Sequence, residues 1–193
     1  MVESMKAKTT RTRRTRHDAR EAILDAAEEI FLAHGLDAVV VQRVAAEVGI
    51  TDAGVHYHFG SRLGLVEALM ARSARKLRRR IGAAIDDEGP LDLQAVSRSM
   101  REVYDTEGAA RMVAWMQMTG WAPRRTGMLS PLVERAGGTD EARRLIALLN
   151  AIHIATALMG DPLLRTVNLP SDANGRQAFL DWATDFIAAK LAT

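Results

Sequence analysis

Several residue types and patterns are absent from this 193-residue chain, and each absence excludes a class of protein or site. The chain has no cysteine, which excludes disulfides, thiolate nucleophiles and cysteine metal sites. No uninterrupted apolar run reaches the roughly 18 residues that span a bilayer, and the basic N-terminus lacks the apolar core of a secretory signal. We therefore expect a cytoplasmic protein with no membrane partner.

Proline is scarce, with 5 residues, and so is the alternation of apolar and polar residues that marks strands. Alanine, leucine and arginine are abundant instead, and these residues favour helices. The sequence therefore predicts an all-α protein of about nine helices: three in an N-terminal head, a long fourth, and five beyond. The last two are expected near residues 140–159 and 174–191, with a break across 160–175 between them.

The positive charge is concentrated at the front of the chain. Residues 1–80 contain 15 Lys and Arg against 10 Asp and Glu, whereas residues 81–193 contain 11 against 14. The segment KAKTTRTRRTRHDAR predicts a flexible basic arm, residues 1–17, which either binds nucleic acid or is a solvated tail. A second basic run, RSARKLRRR, ends the long fourth helix, and the helix dipole favours a solvated basic end there.

A helix-turn-helix pattern follows the first helix. Val41, Val44 and Val48 repeat at helical spacing, Gly49 interrupts the repeat, and Thr51 is a suitable N-cap for a second short helix. Two short helices joined by a turn with glycine can place the second helix in the major groove of DNA. Many helical hairpins share this spacing, so the pattern alone does not establish DNA binding.

The histidines of GVHYHF raise the question of a metal or catalytic site. A His-x-His metal site needs a third and fourth ligand, and the sequence has no histidine or acidic cluster at ligand spacing nearby. No nucleophile or carboxylate pair accompanies His56 and His58 either. We therefore predict no metal, no cofactor and no enzymatic activity.

Residues 19–69 resemble the N-terminal DNA-binding domain of the tetracycline-repressor (TetR) family. The matching elements are the I-L-x-A-A run with Phe31 and Gly35, the segment V-x-x-V-A-x-x-V-G-I-T, the H-Y-H-F run, and R-x-x-L at the start of the long helix. The resemblance implies a homodimeric transcriptional regulator with nine helices, whose third helix reads double-stranded DNA. It implies a DNA-binding domain at residues 18–60 and an effector-binding and dimerisation domain at 61–193.

The same resemblance assigns roles in the head. Arg62 and Arg43 are expected at phosphates, His56 stands where the family usually has a phosphate-contacting tyrosine, and His58 matches a packing position. The predicted DNA-binding residues are Arg11, Arg13, Arg14, Arg16, Gln42, Arg43, Thr51, Asp52, Ala53, His56, Tyr57, His58 and Arg62. The sequence departs from the family pattern at Val40, which replaces a capping Ser or Thr, at Gly54 inside the third helix, and at Arg62, which replaces a lysine.

Two segments of the C-terminal domain are candidates for the effector pocket. RMVAWMQMTGW is rich in methionine and tryptophan, which suit either a ligand pocket or an ordinary core. LIALLNAIHIATALM has three polar residues at a spacing of three, which face either the pocket, the dimer seam or core partners. The predicted ligand-binding residues are Met112, Trp115, Met116, Thr119, Trp121, Asn150, His153 and Thr156.

The last two helices are candidates for the dimer interface. Residues 145–159 are apolar on nearly every side, as expected for a helix between a core and a partner subunit. The final helix carries an aromatic stripe at i, i+3 and i+7. The predicted interface residues are Leu145, Leu149, Ile152, Phe179, Trp182 and Phe186.

The sequence favours a homodimeric repressor that a small apolar or amphipathic effector releases from an inverted-repeat operator. The main alternative is an all-helical small-molecule binding or carrier protein that binds no specific DNA. Salt-sensitive affinity for DNA distinguishes the two.

Overall fold

The computed structural model describes residues 16–85, 89–120 and 127–192. Within these ranges the chain forms nine α-helices and no strand, which confirms the predicted all-α fold. The helices are α1 (Arg16–His34), α2 (Val41–Val48), α3 (Asp52–Phe59), α4 (Arg62–Ile85), α5 (Leu93–Arg101), α6 (Ala109–Thr119), α7 (Ser130–Arg135), α8 (Asp140–Arg165) and α9 (Ala173–Leu191). A 3-10 turn (Leu36–Ala38) joins α1 to α2, and a π-helix (Glu102–Thr106) continues α5.

The head consists of α1, α2, α3 and the first half of α4 around one hydrophobic core. The packing face of α1 consists of Ile23, Ala27, Ile30 and Phe31, because all four side chains are at most 5% exposed. Val55 is the buried residue of α3 and anchors that short helix on the core. Each large apolar side chain buried in this way stabilises the fold by about 1.5–3 kcal/mol.

A second core lies in the C-terminal body. It is formed by α4 to α9 together with the π-helix, and its fully buried side chains include Leu77, Met100, Leu132, Ile146 and Ile187. The helix α4 contributes to both cores, through Leu65 and Leu69 in the head and through Leu77 in the body. It is therefore the structural link between the two halves.

Three basic side chains between the middle and the end of α4 contact acidic groups on other elements. Arg72 pairs with Asp25 of α1, and Arg80 pairs at 2.8 Å with Glu107, which follows the π-helix. Lys76 lies between them, with its Nζ 3.4 Å from Glu107. Because these residues are four apart, they share one face of the helix. The prediction of a solvated basic end is wrong for this face and holds for the other arginines of the run, which are exposed.

The eighth helix continues beyond its predicted end. The predicted break across 160–175 begins too early, because α8 kinks at Met159 (φ −137°, ψ 23°) and resumes as far as Arg165, and the break before α9 covers residues 166–172. Pro162 causes the kink, since it has no N–H to donate to the carbonyl of Leu158. Gly160 and Pro162 therefore bend the helix without ending it.

By length and composition alone, α8 could cross a membrane, and 28% of its most apolar window is buried. Long apolar helices of soluble cores pass the same test. One side of α8 packs Ile146 and Leu149 into the body core. The other side leaves Leu148, Leu158 and Met159 exposed, at 44%, 39% and 53%. The helix thus has a packed face and an open apolar face.

Candidate nucleic-acid interface

The turn between α2 and α3 has the geometry that its sequence predicts. Gly49 ends α2 in the left-handed conformation (φ 71°, ψ 37°), which glycine adopts without strain. Thr51 begins α3 as its N-cap, since its Oγ1 accepts a hydrogen bond from the Gly54 N–H at 3.2 Å. The two short helices are therefore held as a compact helix-turn-helix.

One face of α3 is exposed and carries most of the predicted base-contacting residues. Asp52, Ala53, His56 and Tyr57 are exposed, while Val55 holds the opposite face on the core. Tyr57 is 68% exposed, which is unusual for a large side chain with an apolar ring. The helix thus presents a short, mixed polar and aromatic surface to a partner.

The two histidines of the recognition helix have different surroundings. His56 is exposed, and its Nδ1 donates a hydrogen bond to the Gly60 carbonyl at 3.0 Å. Its Nε2 can therefore donate to a phosphate only when the ring is protonated. His58 is half-buried and meets the Tyr57 ring edge to face at 5.2 Å. Burial lowers the pKa of His58, and the guanidinium groups of Arg16 and Arg20 lower it further.

The first turns of α1 lie beside the aromatic end of α3. The guanidinium of Arg16 is 5.3 Å from the ring centre of Tyr57, and that of Arg20 is 4.7 Å from the ring centre of Phe59. Sequence reasoning predicted Arg16 as a DNA contact but missed Arg20, because only the packing of α1 on α3 brings it here. The predicted arm residues Arg11, Arg13 and Arg14 lie outside the described residues.

The start of α2 presents the other predicted contacts. Gln42 and Arg43 are exposed in its first turn. Val40 is the N-cap and provides no side-chain hydrogen bond, as its departure from the family pattern indicated. The free N–H groups of this turn therefore have no capping side chain, and they lie next to an exposed guanidinium.

Arg62 has a different environment from the one predicted for a phosphate contact. Its Nε donates to the Val39 carbonyl at 2.8 Å and one Nη donates to the Leu36 carbonyl at 2.9 Å. The half-buried guanidinium thus fixes the connection between α1 and α2 on the start of α4. A phosphate contact would have to use the remaining Nη hydrogens.

The predicted ligand-binding residues separate into two groups. Met112 belongs to the head core, and Trp115 and Met116 pack against that core. Thr119 is exposed and its hydroxyl donates to the Trp115 carbonyl at 2.9 Å. Trp121 lies outside the described residues. Met112, Trp115 and Met116 of α6 therefore bind the head to the body, and they do not line a cavity in the body that contains His153 and Thr156.

The polar stripe of α8 faces the inside of the body. Asn150 accepts a hydrogen bond from the Tyr104 hydroxyl at 2.6 Å. His153 donates from Nδ1 to the Leu149 carbonyl at 2.8 Å, and its Nε2 is 2.9 Å from the Ser97 hydroxyl. Thr156 is buried and its Oγ1 has no partner among the described residues. Asn150 and His153 thus have hydrogen-bond partners in the core, whereas the Thr156 hydroxyl has none among the described residues.

The predicted interface residues also divide. Leu149 is 1% exposed and belongs to the body core, so its assignment to a subunit interface is wrong. Leu145 and Ile152 are half-buried against that core. The aromatic stripe of α9 is open, with Trp182 65% and Phe186 49% exposed. The three rings of the stripe are stacked. The ring centres of Phe179 and Trp182 are 6.1 Å apart, and those of Trp182 and Phe186 are 6.2 Å apart.

Sequence comparison assigns the head to a known family. Residues 23–69 match the family described as bacterial regulatory proteins, tetR family. Over 130 residues the chain is 26% identical to the HTH-type transcriptional repressor BepR of Brucella suis biovar 1, a match that spans 65% of this chain and 60% of that repressor. These matches support the predicted DNA-binding transcriptional regulator.

Structural comparison extends the likeness of the fold beyond the head. A member of the TetR family from Streptomyces coelicolor A3 superposes with a TM-score of 0.61 at 22% identity, over 90% of this chain and 98% of the other. A TetR variant from Acinetobacter baumannii AYE in complex with minocycline gives a TM-score of 0.61 at 15% identity, over 88% and 94%. The body therefore has the same fold as well.

Proposed function

Because residues 23–69 match the tetR family of bacterial regulatory proteins, we propose that this chain is a member of that family and that it is a cytoplasmic, homodimeric repressor that binds an inverted-repeat operator. A small-molecule effector releases it from the DNA. The observation that carries the proposal is the exposed face of α3, which presents Tyr57 and His56 from a helix anchored by Val55. We assign residues 18–60 to DNA binding and 61–193 to effector binding and dimerisation.

The division of labour in the head follows from exposure. The exposed residues of α3, above all Tyr57, provide base contacts in the major groove, because base edges are what distinguish one sequence from another. Arg43 and the arginines at the start of α1 neutralise phosphates and provide affinity without sequence choice. The basic arm at residues 1–17 adds to that second group, since α1 begins directly beside Tyr57.

Dimerisation follows from the open apolar faces of the last two helices. Trp182, Phe186 and Leu148 expose large apolar surfaces on α8 and α9, which pack against each other in the monomer. Large exposed apolar side chains that lie on neighbouring helices often mark an interface in a soluble protein. A two-fold axis along these helices buries both faces at once and places two recognition helices about one turn of DNA apart.

Selection of bound sequences from random double-stranded DNA tests this function directly. The full-length protein should enrich an inverted repeat, whereas the Tyr57→Ala variant should enrich weaker or less defined half-sites. A purified protein that is folded and dimeric, yet enriches no sequence and shows no salt-sensitive binding, would contradict the proposal and favour the carrier alternative.

A further inference from the structure

A small cavity of about 70 Å³ lies between the end of α5, the π-helix, α8 and α9. Two alanines and a leucine line part of it, and the other six of its nine lining residues have polar side chains. The polar side chains are Arg101, Asp105, His153, Thr156, Arg176 and Gln177. A ligand of this cavity must therefore supply polar groups of its own, in contrast to the apolar pocket that α6 suggested.

Two buried polar atoms in the lining have no hydrogen-bond partner among the described residues. They are Thr156 Oγ1 and Gln177 Oε1. Thr156 is only 6% exposed. The orientation of the Gln177 amide is fixed, because its Nε2 donates to the carboxylate of Asp181, which can only accept. Unpaired buried groups are costly, so a ligand that donates to Gln177 Oε1 and meets the Thr156 hydroxyl is favoured.

The lining also contains one unpaired charge of each sign. Arg101 and Asp105 form no ion pair with each other or with another residue of the described ranges. Arg176, in contrast, already pairs with Asp161 and donates to the Ser171 carbonyl at 3.1 Å. The free guanidinium can hold an anionic group, and the free carboxylate can hold a cationic one.

The π-helix places these two charges on the cavity. It begins directly after Arg101 and contains Asp105, and the hydroxyl of its Tyr104 is fixed to Asn150 of α8. A π-helix is less favourable than a continued α-helix and is frequently found at functional sites. His153 contributes no free donor or acceptor to the cavity, because both of its ring nitrogens are already hydrogen-bonded.

We propose that this cavity binds a small amino acid or a closely related zwitterion. Its carboxylate pairs with Arg101 and accepts a hydrogen bond from Thr156, while its ammonium group pairs with Asp105 and donates to Gln177 Oε1. The ligand is also the effector of the regulator, and this second statement rests on the function proposed above. The volume of the cavity restricts the ligand to a few heavy atoms beyond the charged groups.

Binding can be tested without DNA, on the full-length protein labelled for NMR. The standard amino acids are added one at a time, and the resonances of the Thr156 methyl and the His153 ring are followed. We expect at least one amino acid to shift both resonances in a saturable manner. Its amide, which lacks the carboxylate, and its deaminated acid, which lacks the ammonium group, should bind at least about tenfold more weakly.

Variants of the lining separate a specific site from a general effect. Arg101→Gln and Asp105→Asn should each weaken binding of that amino acid about tenfold or more. Arg98→Gln is the matched control, because Arg98 is an arginine of the same helix that lies outside this cavity, and it should bind as the unchanged protein does. The site is refuted if no amino acid shifts the two resonances, or if the singly charged analogues bind equally well.

The effector role has a separate readout. The amino acid that binds should weaken operator affinity of the unchanged protein and leave that of Arg101→Gln unaffected. Binding in the cavity with no change in operator affinity refutes the effector role and leaves the site standing. Failure to select any operator refutes the proposed function, while the NMR titration still decides the site.

Discussion

Tyr57 is the side chain on which sequence discrimination should depend most. It is 68% exposed at the end of α3, and the Arg16 guanidinium covers one face of its ring. We expect Tyr57→Ala to weaken operator binding by about 1–3 kcal/mol and to leave binding of random DNA nearly unchanged, because a base-specific interaction forms only in the operator complex.

Fluorescence anisotropy with operator and scrambled duplexes measures both affinities. Tyr57→Phe serves as the control that separates the hydroxyl from the ring. If Tyr57→Ala preserves the ratio of the two affinities, Tyr57 does not read a base.

His153 should make stability depend on pH. Burial lowers its pKa, hydrogen bonds to Leu149 and Ser97 act in the opposite direction, and the nearby Arg101 lowers it again. The folded state thus binds fewer protons than the unfolded state just below the ordinary pKa of about 6.5. The stabilising contribution is present above that value and is lost as the pH falls towards the folded-state pKa.

Urea unfolding at pH 7.5 and pH 5.5 measures this contribution. We expect His153→Gln to be less stable than the unchanged protein at pH 7.5 and to lose less stability on acidification. His58 also has a lowered pKa and remains in both proteins, so the difference between them isolates His153. An identical pH dependence in the two proteins would show that His153 titrates normally.

The recognition helix is weakened by Gly54. Glycine in a helix interior costs about 1 kcal/mol relative to alanine. A Cβ at this position would lie 3.4 Å from the nearest side-chain atom, Ile50 Cδ1, which is an ordinary contact. We expect Gly54→Ala to raise the free energy of unfolding by about 0.5–1 kcal/mol, as measured by urea titration. A destabilised variant would mean that the space beside Gly54 is occupied more tightly than this distance indicates.

Local signals in the sequence predicted the elements well. The all-α class, the Thr51 cap and the glycine that ends α2 all depend on neighbouring residues, and the structure confirms each of them. The resemblance of the head to the TetR family also depends on the spacing of a compact motif, and the family match to residues 23–69 supports it.

Sequence reasoning missed the contacts between residues that are far apart in the chain. The pairing of α4 with Asp25 and Glu107, the hydrogen bonds of Arg62 to the α1–α2 connection, and the position of Arg20 beside Phe59 join residues far apart in the chain. From the sequence alone, a run of basic residues is expected to be solvated, because its acidic partners lie elsewhere in the chain and only helix packing brings them close. The kink of α8 was missed for another reason: Gly160 and Pro162 are ordinary helix breakers, and tertiary packing carried the helix past them.

At the scale of the whole molecule, the exposed stack on α9 should hold the dimer together. We expect Trp182→Glu combined with Phe186→Glu to convert a dimer into a monomer, because two buried charges in an apolar interface are not compensated. Met118→Glu is the control, since Met118 is also an exposed apolar residue, 79% exposed, but lies on α6. Sedimentation velocity distinguishes the outcomes, and a doubly substituted protein that stays dimeric would place the interface elsewhere.

The basic arm should contribute affinity that depends on salt. Deleting residues 1–15 removes five basic side chains per subunit and retains Arg16 on α1. The slope of log affinity against log salt should decrease in magnitude by about 0.9 for each phosphate that the arm no longer neutralises, with operator and random DNA affected alike. Replacing the same residues by a neutral Gly-Ser segment controls for chain length. An unchanged slope would identify the arm as a tail that does not touch DNA.

Gly108, at the start of α6, approaches the ring of Phe31, near the end of α1, so closely that no further side chain fits between them. This contact connects the body to the head. A Cβ on Gly108 would lie 2.8 Å from Phe31 Cε1, and the Arg111 guanidinium is 5.0 Å from the centre of the same ring. The start of α6 and the end of α1 must therefore move together. In a dimer, the arrangement of the two bodies would therefore determine the distance between the two copies of α3. One base-pair step is about 3.4 Å. The affinities for operators with one base pair added to or removed from the spacer should therefore depend on how the two bodies are arranged in the dimer.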